Sequence, residues 1–460
     1  GQKRGKRAPD IKVAQFAGYI GCETEYHHGE MSLFEAIIGM AQNWITSNNI
    51  NVLEPKGNFG SRSMQGKDAA SPRYIFTNIN KLAYTIYRDD DEPILKYIIE
   101  DGKSVEPELY YPIIPMILVN GAAGIGTGYS TNVLQFNPLD IVDRLKKIIN
   151  DEICEDMIPY YRGYKGKITK ESDQKFKVEG CYEVISDDKV HITELPISLR
   201  PISFEKYKEF LNSITVLDKK EDDNKKKLID FIMKPYNNKV DITVQFKPGE
   251  LQKLLKAKEL EKYLKLNSSL TMSNMYLYNL NGKITKYDSP YEILEDFYKC
   301  RHAKYIDRKK YRIKVLENDA DIAKYKRMFI EYIIAKKIII EKQKKDVIIN
   351  RLSELKFPRL ARKITASDEE KSYQYLIDMP LWSLTYEKIE ELKKEEEDIQ
   401  RILQDYKSKS VESIWIEELD EFVKAYNVWM KELDDIRLKE EKLCDKKSTD
   451  KLKKKVKKTK

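Results

Sequence analysis

The chain has 460 residues, of which 41% are hydrophobic and 34% charged, with a formal net charge of +8. That length supports two or three domains around a substantial core, and no run approaches the ~18 uninterrupted apolar residues of a membrane-spanning helix. Five scattered cysteines without a CxxC spacing, and four histidines with one adjacent pair, argue for a reducing compartment and against a zinc site.

The positive excess lies at the two ends. Residues 1 to 9 carry four cations, and residues 445 to 460 carry nine lysines against two aspartates, so the body between them is slightly acidic. Such tails solubilise or target as often as they clamp nucleic acid. The start, Gly1-Gln2-Lys3-Arg4, has no methionine and leads into no secretory apolar stretch, as expected of a fragment or processed product.

Along the chain, residues 31 to 46 place Leu33, Ile37, Met40, Ala41 and Trp44 on one helical face, with Gly29 and Glu30 at its start. A local basic patch follows: Lys56, Arg62, Lys67, Arg73 and Lys81 face a single acid, Asp68. Inside it Arg73 directly precedes Tyr74. A phenol with an ordinary pKa near ~10 becomes a nucleophile at neutral pH only if cations or a base favour its phenolate, and Arg73 is the first such cation. Among 30 tyrosines most Arg-Tyr pairs are structural, so the neighbouring motifs decide.

Next comes an apolar run, Tyr111 to Val119, and then the glycine-rich stretch Asn120 to Ser130. This stretch is neither a Walker loop nor a dinucleotide fingerprint. Its glycines around Ile125 suit close backbone approach to a ligand, with an apolar wedge between base steps as one use. Residues 160 to 290 alternate short β-type runs, such as Val190 to Ile192 and Val240 to Phe246, with charged helical stretches, which reads as a separate α/β subdomain.

All 19 glycines lie at or before Gly282, and beyond it prolines occur only at Pro290, Pro358 and Pro380, so the remainder is predicted helical. Val315, Ile322 and Phe329 repeat at heptad spacing, with Tyr325 and Tyr332 as companions. Leu392, Ile399 and Tyr406 do the same, with Ile389 and Leu403 beside them. With the break at Phe357-Pro358 between the two runs, an antiparallel helical arm is the simplest reading. Leu376, Met379, Leu381, Trp382 and Leu384 form a cluster that reads equally as internal core or as a dimer contact capping the arm.

Taken in order, Tyr26-His27-His28-Gly29-Glu30, Gly57-Asn58-Phe59-Gly60-Ser61-Arg62, Gly66-Lys67-Asp68 through Thr77, and Asn120 through Ser130 resemble the DNA breakage-reunion region of eukaryotic-type type II DNA topoisomerases. The resemblance continues through Tyr160 to Tyr164, Ile192 to Pro196, Asn281 to Ile284, Phe357-Pro358-Arg359 and Leu381 to Thr385, and covers Lys12 to about Met430. Asn58 departs from it, standing where the family often has glutamine. So does the N-terminus, where Lys3 and Arg4 are a faint match to the family's basic element.

The resemblance implies a multidomain α+β fold. Its parts are a basic segment at 1–10, a winged-helix DNA-cleavage domain at 11–155, a tower-like α/β subdomain at 156–296, an antiparallel coiled-coil arm with a C-terminal dimerisation gate at 297–435, and a lysine-rich tail at 436–460. It implies Tyr74 as nucleophile, Arg73 as the stabiliser of transition-state charge and His28 at the scissile region. His27, Lys56, Asn58, Arg62 and Lys67 are implied as DNA contacts, and Ile125 as the wedge. It also implies double-stranded DNA as partner, a homodimer, and Mg2+ and ATP bound outside this segment, on metal-binding and ATPase domains of the same polypeptide or of a separate subunit. No metal or cofactor site is expected in the chain itself, and the location implied is the nucleus, or a cytoplasmic replication site for a virus. Rival readings are a non-catalytic DNA-bridging coiled-coil protein and an ATP-independent DNA-breaking transesterase.

Overall fold

A computed structural model describes residues 9–198, 203–216, 226–234, 239–364 and 366–456, the side chains of Leu381 and of residues beyond Lys439 excepted. The basic segment at 1–10, apart from its last two residues, and the last four residues of the lysine-rich tail therefore lie outside the described residues. The chain forms two compact units: residues 1–89, 96–301 and 418–460 make the first, and residues 90–95 and 302–417 the second.

The first unit opens with β1 (Ile11–Lys12), α1 (Val13–Glu23), α2 (Glu30–Ala41) and β2 (Phe76–Thr77), β1 and β2 pairing antiparallel. Leu53 and Lys56 bridge to Ile79 and Phe76, which extends the pair into a small ribbon beside the two helices. Val13, Ala17, Ile37, Ala41, Leu53, Phe59 and Ile75 form the core between ribbon and helices. Gly29 caps α2 and Glu30 begins it, but the helix stops at Ala41. Met40 is exposed and Trp44 lies past the helix, so the apolar face predicted over 31–46 is shorter at its C-terminal end.

After α3 (Ala83–Ile86) come the hairpin β3 (Tyr97–Glu100) and β4 (Lys103–Pro107), α4 (Met116–Asn120), and a second hairpin of β5 (Ala122–Ile125) and β6 (Ser130–Val133). The glycine-rich stretch expected as a loop is thus a β-hairpin with glycines at its tip. α5 (Pro138–Ile149) starts with proline in its first turn and Asn137 accepting from the Leu139 amide, and buries Ile141, Val142, Leu145 and Ile149.

Residues 167 to 287 hold β7 (Lys167–Ser172), β8 (Lys175–Glu179), β9 (Cys181–Ser186), β10 (Lys189–Glu194), α6 (Phe204–Ser213), β11 (Leu228–Met233), β12 (Ile242–Phe246), α7 (Glu250–Ala257), α8 (Leu260–Tyr263), β13 (Asn267–Thr271), β14 (Met275–Tyr278) and β15 (Ile284–Tyr287). Strands β11-β12-β10-β9 form one antiparallel sheet and β13-β8-β7 another. In β12 the alternation Ile242, Val244, Phe246 puts every second residue into a core with Phe204, Tyr207 and Leu211 of α6 and Leu251 and Leu254 of α7.

The second unit is built on α9 (Pro290–Ile334), α10 (Lys345–Glu354), α11 (Gln374–Ile377), α12 (Tyr386–Ser408) and the start of α13 (Val411–Val456). Lys309 meets the carbonyls of Lys407 and Lys409, Glu317 pairs with Lys407 at 2.7 Å, and Arg327 pairs with Glu396 at 3.2 Å. Numbers rising along α9 meet numbers falling along α12, so the two helices run antiparallel.

On α9 the predicted heptad side enters a core, with Phe329 2% exposed and Ile322, Tyr325 and Tyr332 packed against the same cluster. Leu316, Ala323 and Ile330 are nearly fully buried, with Ala320 beside them, whereas Val315 and Ile322 are half-buried. The predicted cap cluster divides: Leu376 is core, Met379 packs against it, Leu384 is half-buried, and Trp382 is 83% exposed. Leu381's side chain lies outside the described residues.

Candidate active site at the Arg73–Tyr74 segment

Tyr74 lies at the entrance of β2, and its position is fixed by backbone rather than by its own side chain. The Val13 amide donates to the Ile75 carbonyl at 3.0 Å, and the Ala14 amide to the Pro72 carbonyl at 3.1 Å. Both amides belong to the first turn of α1, where backbone donors lack partners within the helix, so the tyrosine segment satisfies them and is clamped in return. Ile75 is buried in the core while Tyr74, which ends the turn before it and donates its amide to the Ser71 carbonyl at 2.9 Å, is 76% exposed. Arg73 and Lys67 are exposed as well and make no ion pair with a described residue.

The loop before the tyrosine is closed by Asp68, the one acid of the patch. Its carboxylate accepts from the Ser61 amide at 2.8 Å and the Ser61 hydroxyl at 2.7 Å, and its carbonyl accepts from Asn58 Nδ2 at 2.8 Å. Asn58 Oδ1 in turn accepts from the Gly60 amide at 3.0 Å, so this side chain is engaged within the loop. A Cβ on Gly60, whose φ is +96°, would sit 2.6 Å from the Gly66 Cα, so only glycine lets the two ends of the loop touch.

Arg62 is held inside the fold. It is 6% exposed, pairs with the buried Glu194 carboxylate at 2.7 Å, and donates to the Leu195 carbonyl at 3.3 Å. The guanidinium joins the Gly57–Arg62 loop to the end of β10 and the residue after it. Lys56 is also tied down, paired with Asp10 and with Glu54, the latter at 3.4 Å. The patch that looks strongly cationic in sequence is thus reduced at the surface to Lys67, Arg73 and Lys81.

His28 is exposed just before α2, with its ring edge-on to Tyr26 at 5.4 Å. His27 is directed elsewhere, its Nε2 lying 3.2 Å from Glu100 on β3. Ile125, at the end of β5, is 94% exposed and has the form of a projecting wedge. Among the described residues no three His, Cys, Asp or Glu side chains converge as a metal set, and no helix is long and apolar enough to cross a membrane.

Two polar hubs carry no clear signal in the sequence. Asn49, fully buried, donates to the carbonyls of Val119 and Tyr160 at 2.9 Å and of Phe136 at 3.2 Å, and accepts from the Arg162 amide at 2.7 Å. Arg162 stacks on Trp429 with its guanidinium carbon 4.8 Å from the ring centre, and burial pulls its pKa down to about 10, which leaves it protonated at neutral pH. The one hint in sequence is a polar residue close to apolar ones.

A mixed α/β scaffold thus presents an exposed tyrosine beside an exposed arginine, with an exposed isoleucine on a hairpin of the same unit. The chain belongs to the DNA gyrase/topoisomerase IV A-subunit family, whose model matches residues 2–420. It is 38% identical over 474 residues to a DNA topoisomerase 2 of Acanthamoeba polyphaga mimivirus, covering 91% of this chain and 37% of that protein. It is 35% identical over 461 residues to the DNA topoisomerase 2 of Saccharomyces cerevisiae, covering 92% and 32%. Among solved structures it resembles the DNA-binding, cleavage and re-ligation domain of Plasmodium falciparum topoisomerase II, with a TM-score of 0.81 and 37% identity over 93% of this chain and 60% of that one. The chain thus spans about a third of the length of the curated relatives it matches.

Proposed function

We propose that this chain is the DNA-cleavage and religation region of an ATP-dependent type II DNA topoisomerase, an isomerase that passes one duplex through a transient double-strand break in another. The observation that carries the reading is the pairing of an exposed Tyr74 with an exposed Arg73, which no described acid neutralises, on a backbone clamped to α1. The Tyr74 oxygen attacks a backbone phosphorus, forming a tyrosyl O–P bond as the P–O bond to the leaving deoxyribose oxygen breaks. Arg73 faces the charge that builds on the phosphoryl oxygens. Because one phosphoester replaces another, the released hydroxyl reverses the step and no ligase is required.

His28 and Lys67 contact the scissile region and its flanking phosphates, and Ile125 enters the base stack. The 11–155 segment acts as a winged-helix cleavage domain, 156–296 as the tower and 297–435 as the arm and gate. Mg2+ and ATP serve the complete enzyme from domains outside this segment, either fused or on a separate subunit. The residues described here offer no set that fits the metal, so no step is routed through it. Two copies are needed to cut two strands, and twofold symmetry places the tyrosines on opposite strands. The eukaryotic and viral relatives fit action in the nucleus or at a viral replication site.

Tyr74→Phe is the test. With the metal-binding and ATPase parts supplied, it is expected to keep duplex affinity within about twofold and to form no covalent protein–DNA adduct on denaturant trapping. Adducts that persist would refute the assignment. ATP-dependent decatenation by the parent separates this reading from a bridging protein, which does nothing, and from a simple break-maker, which linearises without unlinking.

A further inference from the structure

The hairpin that carries Ile125 is short, and its tip is rich in glycine. β5 and β6 pair over four residues each, from Ala122↔Val133 to Ile125↔Ser130, and the Gly126 amide closes the turn onto the Tyr129 carbonyl at 2.7 Å. A two-stranded hairpin alone is marginal in water. Bending a duplex stores an energy of the same order as such a hairpin's stability, so an unsupported wedge would yield before the DNA did.

The structure supplies a support in β14 and the residue just before it. Four successive residues on the β6 side are each held there. The Asn132 amide donates to the Asn274 carbonyl at 2.7 Å, the Tyr276 amide donates to Thr131 Oγ1 at 3.2 Å, and Asn274 Nδ2 donates to Ser130 Oγ at 2.8 Å. The Tyr129 ring meets the Tyr276 ring at 5.6 Å and 59°. β14 is itself backed by β15, pairing from Met275↔Tyr287 to Tyr278↔Ile284, and Met275 is fully buried.

We propose that Asn274 and Tyr276 are positioning residues for DNA bending: they stiffen the β5–β6 hairpin so that Ile125 can hold a kinked duplex. The inference rests on the reading of Ile125 as a wedge in duplex DNA. The bend is transmitted through the Tyr129–Tyr276 ring pair and the Asn274–Ser130 bond into β14 and β15, and neither residue needs to touch the DNA.

The test uses the full chain and a duplex of about 30 base pairs labelled with a fluorescence donor and acceptor at its ends, reading the bend by energy transfer and the affinity by anisotropy. Tyr276→Ala is expected to lose at least half of the bend at unchanged Kd, Tyr276→Phe to keep it, Asn274→Ala to lose part of it, and Ile125→Ala to lose nearly all. If Tyr276→Ala and Asn274→Ala bend DNA like the parent while Ile125→Ala does not, the brace is overturned and the wedge stands. If Ile125→Ala also bends like the parent, the wedge reading falls and the brace with it. A Tyr276→Ala chain that loses affinity together with the bend also overturns the proposal, because the ring then supports the fold rather than the wedge.

Discussion

Arg62 and Arg73 come from the same short basic stretch and meet opposite fates. Arg73 stands in solvent beside Tyr74, where its charge is available to a phosphate. Replacing it with alanine is expected to slow adduct formation by ~10²- to 10³-fold, the usual consequence of removing one positioned charge stabiliser, with a smaller loss for Arg73→Lys; single-turnover cleavage measures this. Arg62 is engaged inside the fold. Glu194→Gln removes the carboxylate 2.7 Å from its buried guanidinium and is expected to cost up to ~3–5 kcal/mol, read as a lowered denaturation midpoint. Replacing both residues with apolar ones should cost less than either single change, because no charge is then stranded. Nothing in the spacing of the two arginines distinguishes them. The difference is set by a carboxylate more than a hundred residues away.

At the level of elements, the sequence patterns are good guides to type and incomplete guides to burial. Periods of two and of seven are local properties of the chain, so strands such as β12 and helices such as α9 and α12 are legible in it. Which further residues are buried depends on what packs against the helix, and Leu316, Ala320, Ala323 and Ile330 are buried on α9 besides the predicted Phe329. The start of α13 offers a test of a different kind. A 2.6 Å hydrogen bond from His302, with help from the first-turn backbone, holds the Glu412 carboxyl below the ordinary carboxylate range. A depressed pKa of this kind stabilises the fold above the unfolded-state value of ~4.3, and its contribution is lost as pH falls through the folded value. Glu412→Gln should therefore be less stable than the parent at neutral pH and converge with it in acid, as followed by denaturant titration at several pH values.

For the whole molecule, charge and exposed apolar surface predict behaviour that no single site does. Removing the residues after Lys439 takes away most of the positive excess. It should weaken duplex binding and flatten the dependence of log K on log salt, each lost phosphate contact contributing about −0.9 to the slope, while Tyr74 adducts persist. Trp382 and Tyr386, 83% and 71% exposed, are large apolar side chains that the described residues leave uncovered. Under the proposed function a second copy covers them, so Trp382→Asp should shift the dimer toward monomer in sedimentation or light scattering. An unchanged distribution would move the gate contact elsewhere.

The sequence by itself determined the family, the candidate nucleophile and the division into a glycine-containing α/β part and a glycine-free helical part. These rest on residue type and local order: a turn needs its glycine, a helix its period, a transesterification its phenol. Tertiary structure alone decided which cations stay at the surface, that Leu316 and Ile330 join the buried side of α9, that the glycine-rich stretch is a hairpin, and that Asn49 is a buried hub bonded to Arg162. Each of those outcomes depends on a partner distant in sequence. An ion pair, a close helix approach or a strand set alongside another is created only when the chain folds.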